Sequence, residues 1–83
     1  MTDTRTENQK SRLKWHAWGI DGNRLLDLRD SSGRIVARIK PTSTGAWELW
    51  DWTHGSLRES RVDTYLSLDQ AKREGAALME LRV

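Results

Sequence analysis

From Leu13 to Lys40 the chain alternates apolar and polar residues, and turn residues interrupt the alternation at Asp21-Gly22-Asn23 and again at Ser31-Ser32-Gly33. A period of two sends successive side chains to opposite faces of an extended strand. The pattern therefore predicts three antiparallel strands, Leu13 to Ile20, Arg24 to Asp30 and Arg34 to Lys40, joined by tight turns. Pairing Ile20 with Asn23 sets Trp15 opposite Leu28 and Ala17 opposite Leu26. Pairing Ser31 with Arg34 sets Leu28 opposite Ala37 and Leu26 opposite Ile39. Both hairpins then gather Leu13, Trp15, Ala17, Leu26, Leu28, Ile35, Ala37 and Ile39 on one face, the predicted core. The other face collects Lys14, His16, Trp18, Leu25, Asp27, Arg29, Val36, Arg38 and Lys40.

Pro41 to Gly45 reads as a loop into a fourth strand, Ala46 to Trp52, whose register depends on the geometry of that loop. Pairing Lys40 with Ala46 sends Trp47 and Leu49 to the core and Glu48, Trp50 and Trp52 outward, with Glu48 opposite Arg38 and Trp50 opposite Val36. A slip of one residue instead buries Trp50 and Trp52 and exposes Trp47. Thr53 to Ser56 turns the chain again, and a weaker strand is expected near Arg61 to Tyr65. Ser67-Leu-Asp-Gln70 matches a helix capping box, with Leu66 and Ala71 placed for a hydrophobic staple. The helix that follows lines up Leu68, Ala71, Gly75, Leu78 and Met79, and its small residues would let it approach the sheet closely. Asp69 at its start and Arg82 at its end suit the helix dipole. The fold class is α+β: an antiparallel meander of four strands, or five with the weaker one, packed on one C-terminal helix that covers the Leu26/Ile39 face.

Composition sharpens this picture. The 83 residues include 5 Trp, 1 Tyr and no Phe, so indole rings must supply much of the buried area of a core this small. They fall in two clusters, Trp15/Trp18 and Trp47/Trp50/Trp52, on alternating strands, so some must face outward. With no Cys, disulfides and thiolate metal sites are excluded. Met1 to Arg12 is polar and is expected to be a disordered tail before one domain, 13–83. It carries no signal-peptide pattern, and no later run has membrane-spanning length, so a cytoplasmic location and no membrane partner are expected.

The net charge is +2. Positive residues concentrate between Arg24 and Lys40, while Ala46 to Asp63 is net acidic, a mixed surface rather than the basic stripe of a phosphate-binding protein. The candidate binding residues are Trp18, Trp50 and Trp52 as aromatic anchors, with Arg29, Arg38 and Lys40 beside them. Set against this are rings buried in a core, rings covered by the Leu57 to Tyr65 segment, and a solvated charged face with pairs such as Asp27–Arg38. His16 opposite Asp27 suggests a superficial acid–base pair, but catalysis would also need a nucleophile and an oxyanion site arranged in a pocket, and a sheet this small offers little concavity, which argues against an enzyme. His54 has no neighbour at metal-ligand spacing. No metal and no cofactor are expected.

The run Trp47-Glu-Leu-Trp-Asp-Trp52, then Val62-Asp-Thr-Tyr65, then Ser67-Leu-Asp-Gln-Ala-Lys-Arg-Glu-Gly-Ala-Ala77, resembles small accessory proteins of bacteriophages and prophages. Its cadence is also similar to that of the sheet-reading DNA-binding domains of ethylene-responsive plant transcription factors and of integrase arm domains. The resemblance covers the second half of the chain and implies a mobile-element origin. No outer-face arginine matches the DNA-contacting positions of the plant domains, so none of their contact residues carries over. The expected function is a non-enzymatic module of the anti-CRISPR-like kind, which binds and inhibits a host nucleic-acid-handling protein complex through its sheet face. The alternative is direct DNA or RNA binding, with the rings as stacking platforms and Arg29, Arg34, Arg38 and Lys40 on phosphates. An exposed edge strand also leaves a homodimer open.

Overall fold

The computed structural model describes residues 12–20 and 23–82. Most of the tail read from Met1 to Arg12, and the Asp21-Gly22 pair of the first turn, lie outside the described residues. The chain forms β1 (Lys14–Ile20), β2 (Asn23–Arg29), β3 (Ile35–Pro41), β4 (Trp47–Asp51), a single 3-10 turn at Ser56–Arg58, β5 (Ser60–Tyr65) and helix α1 (Leu68–Arg82). The strands make one open antiparallel sheet whose spatial order is their chain order. The weaker fifth strand is thus a full member, and α1 packs on one face, mainly over β3, β4 and β5.

β1 and β2 pair as the alternation predicts, Trp15 with Leu28, Ala17 with Leu26 and Ile20 with Asn23. Between β2 and β3 the expected pairs Leu26–Ile39 and Leu28–Ala37 form, but Arg29 then meets Ile35 rather than Val36. That extra residue is a β-bulge, and it reverses two side-chain assignments. Val36, expected outside, is 1% exposed and joins the core, while Ile35, expected inside, is only half-buried. Ala17 is a second correction. The alternation predicts a core position for it, but it is exposed on the edge strand, because α1 lies chiefly over the opposite half of the sheet.

The β3–β4 register also differs from the preferred one. Lys40 pairs with Glu48 rather than Ala46, and Trp50 pairs with Arg38 rather than Val36. The cause is a hairpin shorter than Pro41 to Gly45. Thr42 donates its N–H to the Ala46 carbonyl at 2.9 Å, and its Oγ1 accepts from the Ala46 N–H at 3.0 Å. Three residues close the loop, with Gly45 at φ +87°, a left-handed conformation that glycine adopts at no steric cost. Pro41 thereby belongs to β3, where the alternation points its missing N–H toward β2, beyond the last β2–β3 pair. A shift of two residues preserves side-chain parity, so Trp47 and Leu49 still face the helix while Glu48 and Trp50 face away.

The core joins Leu26, Leu28, Val36, Ala37, Ile39 and Leu49 of the sheet to Ala71 and Met79 of α1, with Trp15, Trp47, Val62 and Tyr65 packed at its margin. Gly75 sets the distance between layers. A Cβ built there would lie 2.9 Å from Leu49 Cδ1 and 3.0 Å from Trp15 Cζ2. The Trp15 indole N–H donates to the Lys72 carbonyl at 3.2 Å, which ties the edge strand to the helix. Ser67 Oγ accepts from the Gln70 N–H at 3.3 Å, as expected of an N-cap. The predicted staple does not form: Leu66 is 89% exposed while Ala71 is buried by the sheet. Arg82 in the last turn pairs with Asp51 at the end of β4, closing the core at that end.

A candidate interface on the outer face of the sheet

The face opposite α1 is built from alternate residues of all five strands. At its centre Asp27 of β2 stands opposite Arg38 of β3, and Trp18 of β1 lies two residues along from His16, whose backbone pairs with Asp27. The Asp27 carboxylate is only 1% exposed. Arg38 Nε donates to its Oδ1 at 2.7 Å, the Trp18 indole N–H donates to its Oδ2 at 2.7 Å, and Arg29 Nη2 reaches Oδ2 at 3.5 Å. A carboxylate taken out of water is tolerated only when its lone pairs are matched in this way. The His16 ring is exposed, so the expected pairing with Asp27 is one of backbone register alone.

Arg38 also lies over aromatic rings, 5.2 Å from the centroid of Trp18 and 4.1 Å from that of Trp52. Lys40 repeats the arrangement, with Nζ 4.2 Å from the Trp50 centroid and 3.0 Å from Glu59 Oε1. Glu59 Oε1 in turn accepts the Trp52 indole N–H at 2.7 Å. Glu48 accepts the Trp50 indole N–H at 3.2 Å and pairs with Arg61 at 3.3 Å. One rule organises the face. Each outward indole gives its N–H to a carboxylate and offers its π-face to a cation, and each of those cations is held by a carboxylate.

Burial tends to raise the Glu59 carboxyl, but Lys40, the Trp52 N–H and the more distant Arg38 outweigh it and hold the group below the usual carboxylate range. Asp51, on the helix side, behaves alike. Its burial is overcome by the Thr53 hydroxyl and N–H and by Arg82. Arg29 is less engaged than Arg38, and its Nε is buried with no hydrogen-bond partner.

The structure brings Trp18, Trp50, Trp52, Arg29, Arg38 and Lys40 together on one face, as the alternation requires. Trp18 is the most open of the rings, 45% exposed, whereas Trp50 and Trp52 are half-buried by their own neighbours. Glu59 was missed. It enters from the irregular segment between β4 and β5, the very stretch considered as a cover for the rings, and nothing in local periodicity marks it. Glu48 was assigned to this face opposite Arg38, but its partners are Trp50 and Arg61.

Among the described residues no group of three or more His, Asp or Glu is arranged to hold a metal ion, and no helix is long and apolar enough to cross a membrane. Compared with protein-family models, curated proteins and solved structures, the chain matches none of them.

Proposed function

We propose that the chain is a non-enzymatic binding module whose outer sheet face docks on a larger protein, with Trp18 as its anchor. The observation that carries this reading is the state of Trp18: nearly half exposed, yet fixed by its N–H on a buried carboxylate and by Arg38 over its ring. A large ring that is both exposed and held in place loses little entropy on binding, which is the character of an interface hot spot. Arg29, Arg38, Lys40 and Arg61 share the face with Asp27, Glu48 and Glu59, and Lys14 stands at its β1 end, so both signs are interspersed with a small positive excess. Protein interfaces accept such mixed sign, while phosphate backbones reward unpaired cations. Following the resemblance of its second half, the setting proposed is a mobile-element accessory protein acting in the cytoplasm, where it inhibits a host nucleic-acid-handling complex.

The test uses the tryptophans themselves. Titration with short single- and double-stranded DNA at low salt should leave the emission unchanged, while a photo-crosslinker replacing His16, next to Trp18, should capture a protein, other than a second copy of this chain, that one replacing Gln70 on the exposed side of α1 does not. Trp18→Ala should lower affinity for that protein by about tenfold or more. Saturable quenching by DNA that weakens steeply with salt would overturn the reading in favour of nucleic acid.

A further inference from the structure

Strict alternation of backbone groups shows which edge of the sheet is unsatisfied. Thr42 gives its N–H to Ala46 across the β3–β4 hairpin, so along β3 the backbone of Lys40 and Arg38 faces β4, and that of Ile39 and Ala37 faces β2. Their partners Leu26 and Leu28 therefore face β3, which turns the backbone of Leu25, Asp27 and Arg29 toward β1. Trp18, His16 and Lys14 lie opposite those three residues and complete the ladder. The N–H and C=O groups of Trp15, Ala17 and Gly19 point off the sheet, where no strand lies among the described residues.

The two edges are not alike. β5 carries Arg61 and Asp63, and its register shifts so that Val62 is set off between the Leu49–Asp63 and Trp50–Arg61 pairs. Charge and a bulge are the usual protections of an edge against another strand. β1 has neither. It is a seven-residue run, Lys-Trp-His-Ala-Trp-Gly-Ile, without proline, without a register shift and charged only at its first residue.

We propose that the free edge of β1 is an interface and that its occupant is a second copy of this chain, the two β1 strands pairing antiparallel about a twofold axis at Ala17. The occupant follows from self-complementarity. In this register Trp15, Ala17 and Gly19 of each copy meet Gly19, Ala17 and Trp15 of the partner subunit, so every outward N–H and C=O of the three finds its mate. On the helix side the Trp15 ring is held inward against Gly75 and the Lys72 carbonyl, so only the small Ala17 and Gly19 line the seam and the two edges can approach without a clash. On the outer side His16 sits beside Trp18 of the partner subunit in the closer, non-hydrogen-bonded type of pair. Lys14 of each copy falls at an end of the seam, which keeps the like charges apart. The product is a continuous sheet of both copies with the two Trp18 rings near its axis. This goes beyond the binding role proposed above, since the dimer forms whether or not the outer face takes a partner.

Sedimentation equilibrium over a concentration series should show the full chain passing from monomer to dimer. Ala17→Pro removes one outward N–H and blocks strand addition, yet touches no β1–β2 bond. It should stay monomeric throughout with an unchanged circular dichroism spectrum. The chain has no cysteine, so Ala17→Cys gives a second readout that does not depend on tolerance of proline. It should oxidise to a disulfide-linked dimer about tenfold faster or more than Leu57→Cys, placed in a fully open turn, because pairing raises the effective concentration of the two thiols. A wild-type chain that stays monomeric, an Ala17→Pro variant that still dimerises, or Ala17→Cys oxidising no faster than Leu57→Cys each overturns the proposal. None of these readouts depends on Trp18 contacting another protein, so the two proposals fail separately.

Discussion

Asp27 ties together three side chains of the outer face: one carboxylate anchors Trp18, Arg38 and Arg29. Removing one member of a desolvated pair leaves the other uncompensated, which costs more than the pair itself contributes. Asp27→Ala is therefore expected to lose about 3 kcal/mol, read from a urea transition. Combining it with Arg38→Met should cost less than the sum of the two single changes, since the double variant leaves neither member of the Asp27–Arg38 pair facing the loss of the other. Glu59 makes a different prediction, in pH. Its folded value lies below the ordinary 4.5, so the stability it contributes is fully present above that pH and is lost as the pH falls through the lower folded value. A denaturation series should show Glu59→Gln less stable than wild type at neutral pH, with the gap closing only on acidification below about pH 4.5.

At the scale of elements, contact between α1 and the sheet is set by what Gly75 lacks. Alanine there gains about 1 kcal/mol of helix propensity but must displace Leu49 and the Trp15 ring, so Gly75→Ala is expected to be destabilising by about 1–2 kcal/mol net. Ser67→Ala should lose about 1 kcal/mol through the missing cap. Denaturant midpoints measure both. The elements were legible wherever two independent signals agreed. Around Trp15 and Leu28, turn residues and alternation gave the same register, and in α1 the cap and the apolar stripe gave the same start. Signals failed where one residue too many entered a strand. Ile35-Val36-Ala37 is apolar throughout, so no polar residue marks the bulge that turns Val36 inward. The β4 register moved by two residues because Thr42 closes the hairpin through its side chain as well as its backbone, a bond that periodicity does not encode. Parity survived that move, which is why Trp50 and Trp52 were assigned to the correct face. Trp18, Asp27 and Arg38 could be placed together from cross-strand neighbours alone, whereas Glu59, reaching Lys40 from a segment without periodicity, could not.

For the molecule as a whole, the sheet separates two kinds of interior. On one side aliphatic side chains meet a helix, and on the other indoles, guanidinium, ammonium and carboxylate groups satisfy one another without any covering element. Function was the least legible level, because a sheet backed by a helix constrains most of the pattern through packing, and the residues left over fit more than one partner class. The strand order carries a last consequence, in time rather than in space. Every strand pairs with its neighbour in the chain, so no contact within the sheet must wait for a distant segment, and such local topologies fold quickly. During synthesis all five strands emerge before α1, and for that interval Leu28, Ile39 and Leu49 have nothing over them. A chain ended after Ser67 is accordingly expected to aggregate in a pelleting assay while the full chain stays in solution. A separate peptide of residues 66–83, supplied as the truncated chain is made, should restore solubility. The helix, emerging after the strands, thus acts as a chaperone within the chain, closing the apolar face that the sheet, folding ahead of it, leaves adhesive.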